Sequence, residues 1–119
     1  MKTGRKISGG KYRASRKKKL FERKGQPRVV KLAERKSKPL RIRGGSIKRI
    51  LHSENHANLM VKGKAKKVKI TNVLETQANS FLARQNILVK GAIVETELGK
   101  ARITNRPGQE GMVQAVLLD

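Results

Sequence analysis

The chain has no cysteine and no tryptophan, and Tyr12, Phe21 and Phe81 are its only aromatic residues. Without thiols there is no disulfide scaffold, no thiolate zinc site and no cysteine nucleophile, a pattern that suits a reducing compartment. Three aromatic rings supply poorly the base stacking used by ribonucleoprotein-motif sheets and single-strand binders, so any nucleic acid would be recognised by shape and backbone. No run approaches the about 18 apolar residues of a membrane span. The start, Met1-Lys2-Thr3-Gly4-Arg5-Lys6, leads into more charge rather than a signal-peptide apolar core. A soluble intracellular protein without a membrane partner is expected. Acidic residues are the most unevenly distributed absence: residues 1–70 hold 25 Lys and Arg against only Glu22, Glu34 and Glu54.

That excess accounts for the whole net charge of +22, because residues 71–119 contain five bases and five acids. Net charge reports on partners and association rather than on fold, and a one-sided excess of this size points to a polyanion, of which nucleic acid is the expected one. A solvated charged surface would ordinarily carry balancing acids, and Glu22 stands alone among residues 1–33. Apolar residues divide the other way, with 10 in positions 1–38 and 33 in positions 39–119. Only the second segment holds enough hydrophobic material to offset chain entropy. The expected organisation is therefore a basic arm over residues 1–38, ordered only on RNA, followed by a folded domain over residues 39–119.

Within the arm, Gly4, Gly9, Gly10 and Gly25 interrupt the cations, which makes the backbone permissive and self-repelling. Residues 28–35 could form a short strand or a helical turn, since periodicity does not separate the two; a strand is expected. From Lys38 onward the pattern alternates. Leu40 and Ile42 interleave with Arg41 and Arg43, Gly44-Gly45 makes a tight turn, and residues 46–51 return as the second arm of a hairpin. Short strands are expected over 57–61 and 66–74, then one short helix within 78–86 capped near Asn79-Ser80. Further strands are expected over 87–89, 92–97 and 100–104, with a turn cluster at 106–111. The nearly all-apolar run 112–118 reads as a strand buried on both sides. Six or seven short strands with closely spaced turns predict a mainly β protein, a small closed or nearly closed barrel with one short helix.

No catalytic constellation emerges. His52 and His56 are four apart, but Glu54 lies between them and no third ligand follows, so no metal is expected. Glu95 and Glu97 read as an outward polar strand face. Gly9-Gly10-Lys11 lacks a phosphate loop's upstream glycine, where Arg5 stands, and its Ser/Thr, where Tyr12 stands. Phe81 is expected in the core on burial preference. Neither an enzyme, a cofactor nor a small-molecule substrate is expected.

The residues resemble a known family. Thr3-Gly4-Arg5, Gly10-Lys11-Tyr12-Arg13, Arg16-Lys17-Lys18-Lys19-Leu20-Phe21-Glu22, Arg41-Ile42-Arg43-Gly44-Gly45 and the stretch 86–109 are similar to the small-subunit ribosomal protein S8e family of archaea and eukaryotes. The likeness spans nearly the whole chain, is most specific in the Arg-Gly-Gly hairpin and in residues 90–109, and lacks the long insertion of eukaryotic members, as in the archaeal type. It implies a small β-barrel with a basic extension threaded into small-subunit ribosomal RNA, cytoplasmic residence in that subunit, and neighbouring ribosomal proteins as partners. Carried over by position, the RNA-contact role falls on Lys6, Lys11, Arg13, Arg16, Lys17, Lys18, Lys19, Arg23, Lys24 and Arg28, and on Arg41, Arg43, Lys48 and Arg49. Arg5 and Tyr12 in the arm, Gly44 and Gly45 in the turn, and Lys64, Lys66 and Lys67 complete the expected set. An assembly factor or an architectural nucleic-acid-binding protein of related fold would use the same charges.

Overall fold

The computed structural model describes residues 4–12 and 16–118. Its strands are β1 (Lys31–Leu32), β2 (Lys36–Arg41), β3 (Ile47–Glu54), β4 (His56–Val61), β5 (Lys64–Glu75), β6 (Ile93–Thr96), β7 (Gly99–Ile103) and β8 (Gln114–Leu117). Two short helices, α1 (Ser80–Arg84) and α2 (Pro107–Glu110), follow β5 and β7. Among the described residues no helix is long and apolar enough to cross a membrane.

Strands β4 to β8 form a closed barrel, each antiparallel to the next, and β8 returns parallel to β4 through Asn58–Gln114, Leu59–Ala115 and Met60–Val116. A five-strand barrel has a narrow interior, and this sequence fills it by setting large residues against small ones. Leu59 faces Ala115, Val94 faces Ala101, Ile103 faces Ala115 and Ala57 faces Val68, all buried. β5 is 12 residues long and pairs with both β4 and β6. Bulges between Ile70 and Asn72 and between Val73 and Glu75 interrupt its register with β6; such bulges bend a strand and increase its twist.

The remaining strands make a second sheet in the order β1-β3-β2. It joins the barrel core through Leu51 and Val30, which are fully buried. The expected strand in 28–35 is the two-residue β1, parallel to β3. The hairpin expected across Gly44-Gly45 is β2–β3.

Four local expectations are corrected. Residues 87–89 form no strand; Ile87 makes an isolated bridge to Lys31, and the Leu88 N–H donates to the Val30 carbonyl at 2.8 Å. The 106–111 cluster folds as α2, with Pro107 at its first turn and Gly111 closing it at φ 71°, the left-handed stop that glycine adopts without strain. β8 is not buried on both sides: Val113 and Ala115 face the interior while Gln114 and Val116 face outward. The run looked uniformly apolar because Val116, 44% exposed, is a surface hydrophobe. Phe81 is not core but 63% exposed. A five-residue helix presents only one narrow face inward, and Ala83 with half-buried Leu82 occupies it.

Candidate nucleic-acid interface

The β2–β3 hairpin presents a cationic tip on a rigid base. Opposite residues in an antiparallel pair share a face, so the register Arg41–Ile47 and Pro39–Arg49 puts Arg41 and Arg49 on one side, while Leu40–Lys48 lies on the other. The turn closes by Ile42 N–H to Ser46 carbonyl at 2.8 Å and Gly45 N–H to Ile42 carbonyl at 3.2 Å. Gly44 and Gly45 sit at φ 79° and 81°. Two consecutive left-handed residues explain the paired glycines, since side chains there cost about 1 kcal/mol each. Arg43 is exposed beside them.

Just below the turn, Lys48 Nζ donates to the Gln109 side-chain oxygen, and Arg49 packs against Gly111. A Cβ on Gly111 would stand 3.0 Å from Arg49 Cβ and 3.2 Å from the Arg49 carbonyl oxygen. The hairpin is thereby fixed to α2. α2 in turn is held by Asn105, which is buried, donates to Glu110 at 3.0 Å and to the Met112 carbonyl at 2.8 Å, and accepts from the Gln114 N–H at 3.0 Å.

Beyond α2 lies a groove of about 210 Å³ whose mouth carries Arg28, Lys90 and Arg106 over an apolar floor of Val30, Leu88 and Pro107. Three chain segments meet there because the Val30–Leu88 backbone bond draws residue 28 toward residue 90 and Gly108 lies so close to Arg28 that a Cβ on it would stand 3.5 Å from the Arg28 carbonyl oxygen. All three cationic side chains are exposed. Gln109 borders this groove as well as bonding Lys48, so groove and hairpin adjoin. Lys90 and Arg106 were missed from sequence because they lie in the electrically neutral half. Their one local signal was a cation placed directly before a turn glycine or proline.

Lys64, Lys66 and Lys67 open β5, all exposed, opposite Val61, Leu59 and Asn58 on β4. In the arm, Arg5 bridges to Lys11, and the Arg5 guanidinium donates to the Gly9 carbonyl at 3.0 Å. Lys6 Nζ lies 5.9 Å from the Tyr12 ring centre, and Lys19 Nζ 6.0 Å from that of Phe21. Lys17, Lys18 and Lys24 are exposed, and Arg23 donates to the Lys18 carbonyl at 3.4 Å. Arg13 lies outside the described residues. Arg16 is engaged within the protein: its guanidinium grips both Glu22 carboxylate oxygens at 2.6 and 3.1 Å. That guanidinium, with the Lys19 N–H second, holds the Glu22 carboxyl below its ordinary range.

Among the described residues the ion pairs are Arg16–Glu22, Arg35–Glu54 and the 3.9 Å approach of His56 to Glu54. Arg16 is therefore the one member of the expected RNA-contact set paired with a carboxylate of this chain among the described residues. The other described lysines and arginines of the set carry positive charge with no internal carboxylate partner among the described residues, the condition under which phosphate binding releases bound counterions and becomes salt-dependent. Ile7, Leu20 and Phe21 stand among these cations at 111%, 83% and 80% exposure.

Fold and charge together define a small β-barrel protein with a strongly cationic face. The family model "Ribosomal protein S8e" matches residues 1–118, and the chain belongs to that family. Relatives described as small ribosomal subunit protein eS8 match along nearly their whole length. The Methanocorpusculum labreanum protein is 46% identical, covering 99% of this chain and 96% of the relative. The Ignicoccus hospitalis protein is 48% identical over 97% and 92%, and that of Nanoarchaeum equitans 44% over 94% and 90%.

Proposed function

We propose that this protein is a structural constituent of the small ribosomal subunit, resident in the cytoplasmic ribosome, which binds ribosomal RNA through phosphate contacts and has no reaction to catalyse. The observation that carries the reading is the shortage of internal carboxylate partners for the cations, in a chain matched over residues 1–118 by a ribosomal family. The hairpin tip, with Arg41, Arg43 and the Gly44-Gly45 turn, meets one phosphate run, and the Arg28–Lys90–Arg106 groove meets another. The folded unit anchors; the arm becomes ordered between RNA helices as its charge is neutralised. Composition alone divides the chain at residue 38. Burial of Val30 and the pairing of β1 and β2 with β3 favour an arm that ends near Arg28. Neighbouring ribosomal proteins are the expected protein partners.

Co-sedimentation tests the residence. The protein should remain with mature small subunits through a moderate-salt wash. Release at that salt, or association with precursor particles only, would assign it instead to assembly.

A further inference from the structure

A second cavity, of about 410 Å³, lies between β5 and α1, in the charge-neutral half of the chain and outside the cationic surface described above. Its walls include Asn72 and Glu75 from the end of β5, Thr76 just after it, Arg84 from α1, and Asn86 just beyond that helix. We propose that this cavity receives a single unstacked nucleobase of the bound RNA, with the Arg84 guanidinium as its stacking plane.

Four observations carry the assignment. The Arg84 guanidinium carbon lies 5.5 Å from the Phe81 ring centre, so a planar cation at the cavity edge is braced by an exposed aromatic. Bases stack on such guanidinium and aromatic planes. The Asn72 and Asn86 side-chain oxygens both accept from the Val73 N–H, at 2.9 and 3.2 Å. Among the described residues, neither amide NH₂ group donates to the protein, and the buried Thr76 hydroxyl has no hydrogen-bond partner. The two β5 bulges fall at these wall residues, and bulges recur where a side chain is re-aimed toward a site. Finally, the Glu75 carboxylate on the wall opposes a phosphate, whereas donors and an acceptor together match the edge of a base.

RNA is favoured over a protein occupant because the basic segment runs alongside. Lys31 bridges to Ile87, and the Leu32 N–H donates to the Asn86 carbonyl at 3.0 Å. A strand of RNA held by Arg28 and Lys31 passes the cavity wall. The inference rests on the RNA-binding reading above, and the experiment separates the two.

The full chain is titrated with two RNA hairpins of equal length, one fully paired and one carrying a single-nucleotide bulge, with each of the four bases in turn. At least one bulged hairpin should bind about tenfold tighter than the paired one. Arg84→Ala, Arg84→Lys and Phe81→Ala should each abolish that preference while leaving the paired hairpin's affinity and salt dependence unchanged. Arg84→Lys matters most, because it keeps the charge and removes the plane. Equal wild-type affinity for paired and bulged RNA would overturn the cavity assignment and leave RNA binding standing. So would a variant series in which both hairpins weaken together and Arg84→Lys restores them, which is a phosphate contact. If the preference survives every variant while Arg84→Ala is lost from small subunits, a protein covers the site and the proposal fails. No binding to either hairpin would remove the underlying RNA reading and the proposal with it.

Discussion

Replacing Arg28, Lys90 and Arg106 together by alanine removes the three cations around the α2 groove while leaving the fold intact. All three side chains are exposed, and alanine at 28 retains the backbone and Cβ that lie beside Gly108. Surface changes of this kind usually alter stability by about 0.5 kcal/mol or less. If each cation neutralises one phosphate, the slope of log affinity against log salt should become shallower by roughly 2 to 2.7, at about 0.7 to 0.9 per contact. Between about 50 and 200 mM salt the variant should then lose about 20- to 40-fold less affinity than the wild type. Fluorescence anisotropy of a labelled small-subunit RNA fragment across that salt range measures it, with thermal melting as the folding control. An unchanged slope, or an affinity loss equal at every salt concentration, would refute the assignment of these residues to phosphate.

Asn105→Ala should cost about 2 kcal/mol in thermal or denaturant unfolding, because it strands the Gln114 N–H and the Met112 carbonyl inside the fold; a loss below about 0.5 kcal/mol would show that the network is dispensable. Gly111→Ala should destabilise by about 2 kcal/mol or more, since it combines φ 71° with a Cβ only 3.0 Å from that of Arg49. It should also loosen the hairpin, visible as faster amide exchange at residues 47–49. Glu22, depressed in the folded turn, contributes stability that is present above its unfolded value and is lost as pH falls through its lower folded value. Carboxyl NMR titration should find it below the ordinary glutamate range and returned toward that range in Arg16→Ala.

The barrel was legible because its strands carry their burial in strict alternation. Val68 and Ile70 alternate with Lys67, Lys69 and Thr71, and Ala101 and Ile103 with Arg102. The hairpin was legible because two adjacent glycines permit two adjacent left-handed residues, and α1 because Asn79 accepts from the Phe81 N–H at 3.0 Å. Closure was less legible. Alternation states which face of a strand is buried but not which strand it meets, so the parallel β4–β8 seam and the separate β1-β3-β2 sheet had no local signature. The same limit hid the groove. Arg28 stood out within a basic run, whereas Lys90 and Arg106 lie among acids that balance them along the sequence, and only the Val30–Leu88 contact brings the three together. Phe81 misled because burial preference averages over many helices, while a single-turn helix has no room inward for both Ala83 and a phenyl ring.

Removing residues 1–27 deletes 11 lysines and arginines and one acid, and stops short of Val30 and the first strand. Side-by-side RNA titration and thermal melting of the full and shortened chains ask most directly whether the cationic segment exists for RNA while the rest folds as its anchor. The shortened chain should melt at nearly the wild-type temperature, yet bind RNA far more weakly and with a much shallower salt dependence. Undiminished affinity with an unchanged salt slope would contradict the account at its centre.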